Sequence, residues 1–236
     1  LRPFLASREE FFKGALILEN NSEYSILDNL FFSSNLKYSL INNFDDLKYP
    51  PVNTYPAQVR SDVKQYLKNM DEGILIGRAQ FDYHLTPKEN HHFMISAGIL
   101  EDMFSGVGIE YLNFRPNNNF SFGVELFQVK KRDYDWGFGL LDYENTLFRL
   151  NAQVVEPRTK INFRLSGGEY LAGDVGSTIE FSRTFSNGVR FGAFATFTDV
   201  STEQFGEGSF DKGIFLMVLR SSTFLFSSHI QPVTPI

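Results

Sequence analysis

The sequence predicts an all-β fold, an antiparallel up-and-down β-barrel of about twelve strands. Apolar and polar residues alternate with a period of two in successive segments, as in strands that have one apolar and one polar face. Asn, Gly, Pro and Ser cluster between these segments, where turns require them. From the third strand onward the connections alternate between longer and shorter, and about twelve strands is an even number within the range of bacterial barrels.

The N-terminal part predicts an irregular segment followed by three strands. Residues 1–10 are polar and irregular. We expect one barrel domain over residues 11–220 and a tail over residues 221–236. The first strands are predicted at residues 12–20, 24–32 and 36–40, and clusters of Asn and Ser at 20–22 and 33–35 predict the turns that separate them.

A long connection, residues 43–72, interrupts the strand pattern. Pro50, Pro51 and Pro56 exclude a continuous strand or helix in its first half. Apolar residues after these prolines have the spacing of a short amphipathic helix. They are Val59, Val63, Tyr66, Leu67 and Met70. Because the connection is too long for an ordinary hairpin, we expect a functional loop or plug whose apolar stripe covers another surface.

The strand pattern then resumes and continues to the end of the predicted barrel. The remaining strands are predicted at residues 78–85, 93–99, 107–114, 120–126, 148–154, 160–166, 177–185, 189–198 and 214–219. The longer connections are 43–72, 101–105, 130–145, 167–176 and 199–212, and the shorter ones are 86–91, 116–119, 156–160 and 186–188. An outer-membrane barrel has longer connections outside and short turns in the periplasm. The short link between the first two strands is an exception to this alternation.

Charged residues near the strand centres distinguish the two faces of the predicted sheet. They are Arg78, Asp82, Glu125, Arg149 and Arg164, and Gln80, Asn151 and Gln153 share their face. An Arg or Lys that faces lipid at mid-membrane costs about 2–4 kcal/mol, so in a transmembrane β-barrel these residues face the lumen. The same alternation fits a soluble barrel or sandwich with the faces exchanged, in which the phenylalanines would enclose an apolar ligand.

Composition excludes several classes of function. The formal net charge is −6 and the basic residues are scattered, so no nucleic-acid partner is expected. Aromatic residues make up 16% of the chain, which suits a surface in contact with lipid but also a Phe-rich soluble core. The chain has no Cys, which excludes disulfides and Cys nucleophiles. We recognise neither an apolar run long enough for a transmembrane helix nor a signal peptide.

The sequence predicts no catalytic, cofactor or metal site. His91 and His92 would point to opposite faces of a strand, so both cannot easily ligate one ion. No Gly-x-Ser-x-Gly nucleophile motif and no phosphate-binding loop occurs. Glu207 and Asp211 could act as a carboxylate pair on a sugar. Ion pairing with basic neighbours such as Lys212 is the role that we expect for them instead.

Aromatic residues in the connections offer another kind of sugar contact. Tyr134, Trp136, Tyr143 and Tyr170 could stack on pyranose rings while neighbouring carboxylates accept hydrogen bonds from sugar hydroxyls. The alternative role of these aromatic residues is the interfacial belt of a membrane barrel.

Several long motifs resemble one bacterial family. They are residues 169–174 (EYLAGD), 187–196 (NGVRFGAFAT) and 205–213 (FGEGSFDKG), with shorter matches at 43–47, 59–62, 103–108 and 131–134. In this order they resemble the YjbH/GfcD family of outer-membrane β-barrel lipoproteins associated with exopolysaccharide and capsule export. The resemblance spans about residues 14–219. Family members are longer and carry a lipoprotein Cys, so we expect this chain to be the C-terminal barrel portion of a longer protein.

The resemblance implies a location in the bacterial outer membrane and a non-enzymatic role in exopolysaccharide or capsule export or in surface anchoring. The implied partners are outer-membrane lipid, polysaccharide and periplasmic export proteins. A barrel enzyme that modifies a surface glycan or lipid, and a passive diffusion porin, are the alternative functions.

The candidate functional residues form two groups. Lumen and glycan contacts are expected from Arg78, Asp82, Glu125, Arg149, Arg164, Tyr134, Tyr170, Glu207 and Asp211. A plug that occupies the narrow interior of a twelve-stranded barrel is expected from residues 43–72. The charged residues expected to act in this plug are Asp45, Asp46, Arg60 and Asp62.

Overall fold

In a computed structural model of the chain, the described residues form one antiparallel sheet of twelve strands, which follow one another in chain order. The structure describes residues 2–4, 13–45, 47, 62–71, 73–199 and 211–218. The predicted all-β, antiparallel, up-and-down arrangement is therefore confirmed. Strands β1 (Arg2–Phe4) and β12 (Asp211–Val218) are the two edges of this sheet, and the described residues contain no pairing between them.

All of these strands except β1 are long. Between the edges lie β2 (Lys13–Leu27), β3 (Leu30–Asn42), β4 (Ile74–Lys88), β5 (His91–Ile99), β6 (Phe104–Asn113), β7 (Phe120–Arg132), β8 (Leu140–Val155), β9 (Ile161–Glu169), β10 (Val175–Thr184) and β11 (Val189–Thr198). A helix, α1 (Val63–Lys68), and a 3₁₀ turn, Asn69–Asp71, precede β4. Within the described ranges, no helix is both long enough and apolar enough to span a bilayer.

The N-terminal part differs from its prediction in two ways. Residues 1–10 were expected to be irregular, but β1 forms there and pairs with the start of β2. The three strands predicted between residues 12 and 40 are two long strands, β2 and β3, joined at residues 28–29. The Asn and Ser clusters predicted as turns instead face each other across the ladder, where Asn21 pairs with Asn35 and Ser22 with Ser34. Asn35 Nδ2 donates to Asn21 Oδ1 over 2.6 Å, so cross-strand pairing takes the place of the predicted turns.

The connections divide between two ends of the sheet. One end, here the cap end, carries residues 43–73, 100–103, 133–139, 170–174 and 199–210. The other, the turn end, carries residues 28–29, 89–90, 114–119, 156–160 and 185–188. The predicted connection 130–145 is shorter in the structure because β7 and β8 extend into it, with Lys130 paired to Glu144. The exceptional short link between the first two strands disappears, since it lies inside β2 and β3.

One face of the sheet buries polar side chains and the other exposes apolar ones, which is the opposite of the distribution in a soluble protein. On β4, Asp82 is 7% exposed, whereas its neighbours Phe81 and Tyr83 are 47% and 39% exposed. We call the face of Asp82 the inner face and the face of Phe81 the outer face. Exposed apolar side chains continue along the outer face of the other strands. They include Leu18, Ile109, Leu126, Leu150, Phe181 and Ile214. The soluble alternative with the phenylalanines inside does not fit these described strands.

A compact apolar cluster lies at the cap end of the inner face. Its members come from the strand ends and from the 43–73 connection, and we call it the cap cluster. Its buried side chains are Ala15, Phe44, Leu47, Tyr66, Leu67, Met70, Leu75, Leu100, Met103, Phe104, Phe127, Val129, Trp136 and Leu147. The predicted amphipathic helix is confirmed over the described part, because α1 and the 3₁₀ turn place Tyr66, Leu67 and Met70 in this cluster.

Candidate functional site

The inner face of β4 and β5 carries a buried carboxylate with its own donors. Asp82 pairs with Ser96 in the ladder, so the two side chains are adjacent on one face. Gln80 Nε2 and Ser96 Oγ both donate to Asp82 Oδ1, over 2.5 Å and 2.6 Å. Ser96 is 1% exposed. These two donors satisfy Asp82 Oδ1 in a site with little access to solvent.

A second inner-face network joins β7, β8 and β9. Arg149 and Glu125 form an ion pair of 2.9 Å between Nη2 and Oε2. Asn151 Nδ2 donates to Glu125 Oε1 over 2.6 Å, and Ser166 Oγ donates to Asn151 Oδ1 over 2.7 Å. Glu110 lies directly opposite Glu125 on β6. The network is a row of hydrogen-bonding groups that runs across the strands and not along one strand.

The row continues over β9 to β12. Arg164 Nη2 donates to Gln153 Oε1 over 3.3 Å. Arg190 of β11 pairs with Glu180 of β10 and also donates to Ser182 Oγ. Further along the same face, the hydroxyl oxygens of Thr178 and Thr196 are 2.9 Å apart, and Asp211 pairs with Thr196 at the start of β12. The described part of the inner face therefore offers donors and acceptors from β4 to β12.

The structure places the five predicted charged strand residues on this inner face and brings four of them into networks. Arg78 stands apart, since its Nε donates to the carbonyl of Leu100 towards the cap end. Sequence inspection missed Ser96, Glu110, Glu180 and Arg190. The strand alternation carried the signal for Glu110, which lies between Ile109 and Tyr111, and for Arg190, which precedes Phe191.

Helix α1 is fixed to the cap end by reciprocal hydrogen bonds with the 133–139 connection. Trp136 Nε1 donates to the carbonyl of Tyr66 over 2.8 Å, and Tyr66 Oη donates to the carbonyl of Arg132 over 2.5 Å. Asn69 Nδ2 donates to the carbonyl of Tyr134 over 3.0 Å. The rings of Tyr66 and Trp136 meet edge to face, with centroids 5.8 Å apart. These contacts seat residues 62–71 on the inner face.

A buried ion pair adds a charged contact at the start of α1. Lys131 Nζ lies 2.5 Å from Asp62 Oδ2, and the two side chains are 5% and 4% exposed. Tyr134 Oη donates to the same Asp62 oxygen over 2.9 Å. Burial, together with the nearby Asp62 carboxylate, raises the pKa of Tyr134 to about 12. Burial also raises the pKa of Tyr66, with a further contribution from Asp62. Both hydroxyls therefore remain protonated donors at neutral pH.

Arg132 links the connections of the cap end through backbone contacts. Its guanidinium donates to five carbonyls, and the whole residue is fully buried. The acceptors are the carbonyls of Ile76, Glu101, Asp102, Trp136 and Gly137, at 2.8–3.0 Å. The planar fork of an arginine can reach acceptors on several segments at once. One side chain therefore ties β4, the 100–103 connection and the 133–139 connection together.

The four aromatic residues predicted to stack on sugars have different positions. Trp136 is 1% exposed in the cap cluster, so its predicted role as a sugar platform is wrong. Tyr134 lies partly buried against Tyr66. Tyr143 Oη donates to the carbonyl of Leu171 over 2.7 Å and so fixes the 170–174 connection. The guanidinium of Arg149 lies over the Tyr170 ring, with its carbon 6.0 Å from the ring centroid. The Tyr170 hydroxyl is 2.6 Å from Thr178 Oγ1.

Three of the predicted residues have no described position, and a fourth is solvent-exposed. Asp46, Arg60 and Glu207 lie outside the described residues. Asp45 is exposed at the cap end.

The adjacent histidines have different partners, as the strand alternation requires. His91 Nδ1 lies 2.8 Å from Tyr111 Oη, and His92 Nδ1 lies 3.3 Å from Thr86 Oγ1. Over the residues that the structure describes, no group of three or more His, Cys, Asp or Glu is arranged to hold a metal ion.

Comparisons with known proteins identify relatives of the chain. Residues 1–231 match the model of the YjbH family, whose description is exopolysaccharide biosynthesis protein YbjH. The uncharacterized lipoprotein YjbH of Escherichia coli (strain K12) is 32% identical over 217 residues, which cover 89% of this chain and 30% of that protein. The chain therefore spans about a third of the length of that relative.

Solved structures give a weaker likeness. OmpT, an outer membrane protein of Vibrio cholerae, aligns with 86% of this chain and 72% of its own chain, with 9% identity and a TM-score of 0.36. Its trimer form aligns with 89% of this chain and 91% of its own, with 8% identity and a TM-score of 0.28.

Proposed function

This chain belongs to the YjbH family of exopolysaccharide biosynthesis proteins, and we propose that it forms a transmembrane β-barrel in the bacterial outer membrane. In this proposal the barrel takes part, without catalysis, in exopolysaccharide or capsule export or in surface anchoring. Its partners are outer-membrane lipid, polysaccharide and periplasmic export proteins. The proposal concerns the part of the protein that this chain represents.

One observation carries the proposal, the exposed apolar outer face opposite a buried polar inner face. Leu126, Phe148 and Leu150 are 44–51% exposed at adjacent positions of β7 and β8, on the face opposite Glu125 and Arg149. An apolar face of many strands in water would be a very large hydrophobic patch, and such patches mark interaction or membrane surfaces. Lipid is the partner that covers such a face on every strand of a sheet at once.

Aromatic residues near the turn end support the same orientation. The rings of Phe93, Tyr111 and Phe122 are in contact on the outer face of β5, β6 and β7. Phe120 stacks on Phe122 near the 114–119 connection. Aromatic side chains accumulate at the boundary between lipid and water in membrane proteins. The turn end would then lie at the periplasmic boundary, with the cap end on the outside.

The inner face supports a hydrophilic interior. Its amide, hydroxyl, carboxylate and guanidinium groups resemble the polar lining expected of a barrel lumen. Most of them, such as Glu125, Arg149 and Asn151, are already bonded to each other. Such a lining can exchange hydrogen bonds with passing sugar hydroxyls, so binding and passage need no reactive group.

Residues 43–72 act in this proposal as a plug at the cap end. The described part of this connection packs on the inner face, through Phe44, Tyr66 and Met70 and the Asp62–Lys131 ion pair. A segment anchored there narrows the interior of a barrel of this size.

The test is ion conductance of the full-length protein in planar bilayers, with and without the plug. The variant replaces residues 43–72 by a short Gly-Ser linker. A matched variant replaces the turn-end connection 114–119 in the same way. We expect stable conductance that rises only when residues 43–72 are removed. Insertion without conductance in every variant would favour an anchor or scaffold over a conduit, and failure of all variants to insert would overturn the membrane proposal itself.

A further inference from the structure

The charges of the inner face are unevenly divided between two halves of the sheet. Strands β8 to β11 place Arg149, Arg164 and Arg190 there, with Glu180 as their acidic residue. Strands β4 to β7 instead place the carboxylates of Asp82 and Glu125 at their centres, with Arg78 nearer the cap end. An anionic chain in contact with this face would be repelled by one half and attracted by the other.

Arg164 differs from the other two inner-face arginines of β8 to β11. Arg149 is neutralised by Glu125, and Arg190 is neutralised by Glu180. Among the described residues, the guanidinium of Arg164 has one hydrogen bond, to the neutral amide of Gln153. It is half-buried and opens onto the inner face. Glu180 lies directly opposite on β10, but its carboxylate is paired with Arg190, so the charge of Arg164 is available to an anion that enters the interior.

Two aromatic rings lie on the same face as Arg164. Phe194 is two strands away from Arg164, and the Phe215 ring lies against Arg190, with 5.6 Å between the guanidinium carbon and the ring centroid. In the ladder the row runs from Arg164 through Glu180 to Phe194 and then to Gly213. A Cβ atom at Gly213 would lie 2.7 Å from Phe194 Cε1, so the Phe194 ring occupies the space that a side chain at Gly213 would fill. Phe215 lies similarly next to Gly192, where a Cβ atom would be 2.5 Å from Cζ. Both rings are half-buried.

We infer that this inner-face region, centred on Arg164 with Phe194 and Phe215, binds a polysaccharide whose sugars carry carboxylate groups. The guanidinium of Arg164 can take a carboxylate in two parallel hydrogen bonds. The aromatic rings supply flat apolar surfaces for the sugar ring, and the side-chain amide of Gln153 supplies hydrogen bonds to sugar hydroxyls. This inference rests on the proposed function, because it requires the inner face to enclose a hydrophilic path.

Binding is tested with the full-length protein in lipid nanodiscs. The probes are oligogalacturonate, which is a chain of uronic acids, and a neutral malto-oligosaccharide of the same length. We expect wild-type protein to bind oligogalacturonate with an affinity that falls as salt rises, and to bind the neutral chain at least about tenfold more weakly. Arg164→Gln should weaken oligogalacturonate binding about tenfold, and Arg164→Lys should weaken it less.

Arg183→Gln is the matched control. It removes the same charge from β10 at an exposed position beside Phe185, so binding should not change. Trp136 fluorescence and bilayer insertion check that each variant is folded. Equal binding of both probes, or equal loss in the Arg164 and Arg183 variants, would overturn the inference while leaving insertion and conductance intact. Loss of insertion in wild-type protein would instead overturn the proposed function.

Discussion

The inner face of this sheet is apolar at the cap end and polar further along the strands, and these two regions are stabilised in different ways. At the cap end, Phe104, Phe127 and Leu147 point to the same side as Glu110, Glu125 and Arg149 do further along their strands. The apolar region is covered by helix α1, which packs on it. The polar region is satisfied by bonds between neighbouring strands and is left free of a covering segment in the described chain. The same strand alternation therefore builds, on one face, an apolar region covered by α1 and a hydrophilic region.

The comparison teaches where the stability of the cap segment comes from. Helix α1 is too short to be stable alone. Its burial depends on long-range partners in the 133–139 connection and on β7, above all Arg132 and Lys131. The polar region depends instead on bonds between adjacent strands, each of modest strength.

Replacing Arg132 should have the largest effect, and it should be confined at first to the cap end. Arg132→Met removes a donor from five carbonyls that are partly or fully buried, and we expect a loss of roughly 4 kcal/mol in the free energy of unfolding. Trp136 is the only Trp of the chain, so its fluorescence reports the cap directly. Urea titration in lipid vesicles measures the loss, together with quenching of Trp136 by iodide.

Arg132→Lys controls for charge, since a lysine can restore some of the hydrogen bonds but not all of them. Unchanged quenching of Trp136 in Arg132→Met would mean that the apolar cluster alone holds the cap.

Removing the buried carboxylate at the start of α1 should have the next largest effect. Asp62→Asn leaves the Lys131 ammonium buried without its counter-charge, which should cost about 3 kcal/mol. The double variant Asp62→Asn/Lys131→Met should recover most of this loss, because both charges are then absent. Urea titration followed by Trp136 fluorescence measures both variants.

The Lys37–Asp102 ion pair offers a more exposed comparison at the same end. Its side chains are 13% and 24% exposed, so Asp102→Asn should cost only about 1 kcal/mol. An equal cost for Asp62→Asn and Asp102→Asn would contradict the view that burial makes the first pair important.

The cost of an added arginine can be compared between the outer and the inner face. Leu126 is exposed at the centre of β7 on the outer face, and Leu112 lies on the inner face of β6, beside Gly123. Leu126→Arg should destabilise the inserted protein by about 2–3 kcal/mol, whereas Leu112→Arg should cost less than about 1 kcal/mol. Urea titration in lipid vesicles compares the two. The opposite ranking would mean that the outer face does not meet lipid.

Much of the sheet could be predicted from sequence because the alternation is local. Strands β4 to β11 overlap the predicted segments, although β7 and β8 extend beyond theirs, and the inner position of Asp82 follows from its exposed neighbours Phe81 and Tyr83. The strand boundaries before residue 42 could not be predicted in the same way. Asn and Ser favour turns, but their cross-strand partners decide whether a turn forms, and those partners depend on register.

The cap contacts could not be predicted, because they join segments far apart in the chain. Trp136 and Tyr66 are separated by 70 residues, and nothing in the local pattern around Trp136 indicates burial. Its neighbours Asp135 and Gly137 are typical of an exposed loop. In the sequence, Arg132 likewise belongs to a charged run, which is typical of an exposed position. In the structure, its guanidinium donates to five carbonyls from several segments.

A turn at the opposite end from the cap should give the smallest effect, visible only as a pH dependence. Glu156 accepts hydrogen bonds from Thr159 Oγ1 and from the backbone N–H groups of Thr159 and Arg158. These bonds, the Thr159 hydroxyl first, lower the pKa of Glu156 below its usual value. The ionised side chain therefore stabilises the fold above the unfolded-state pKa of roughly 4.3, and this contribution is lost as pH falls through the lower folded-state pKa.

Thermal unfolding as a function of pH measures this contribution. In Glu156→Gln the decline of the melting temperature in acid should be shallower than in wild type, because the titrating group is gone. Glu89→Gln removes the same charge from another exposed turn at this end and should leave the acid decline as in wild type. An identical acid decline in wild type and Glu156→Gln would mean that the 156–160 turn adds no pH dependence.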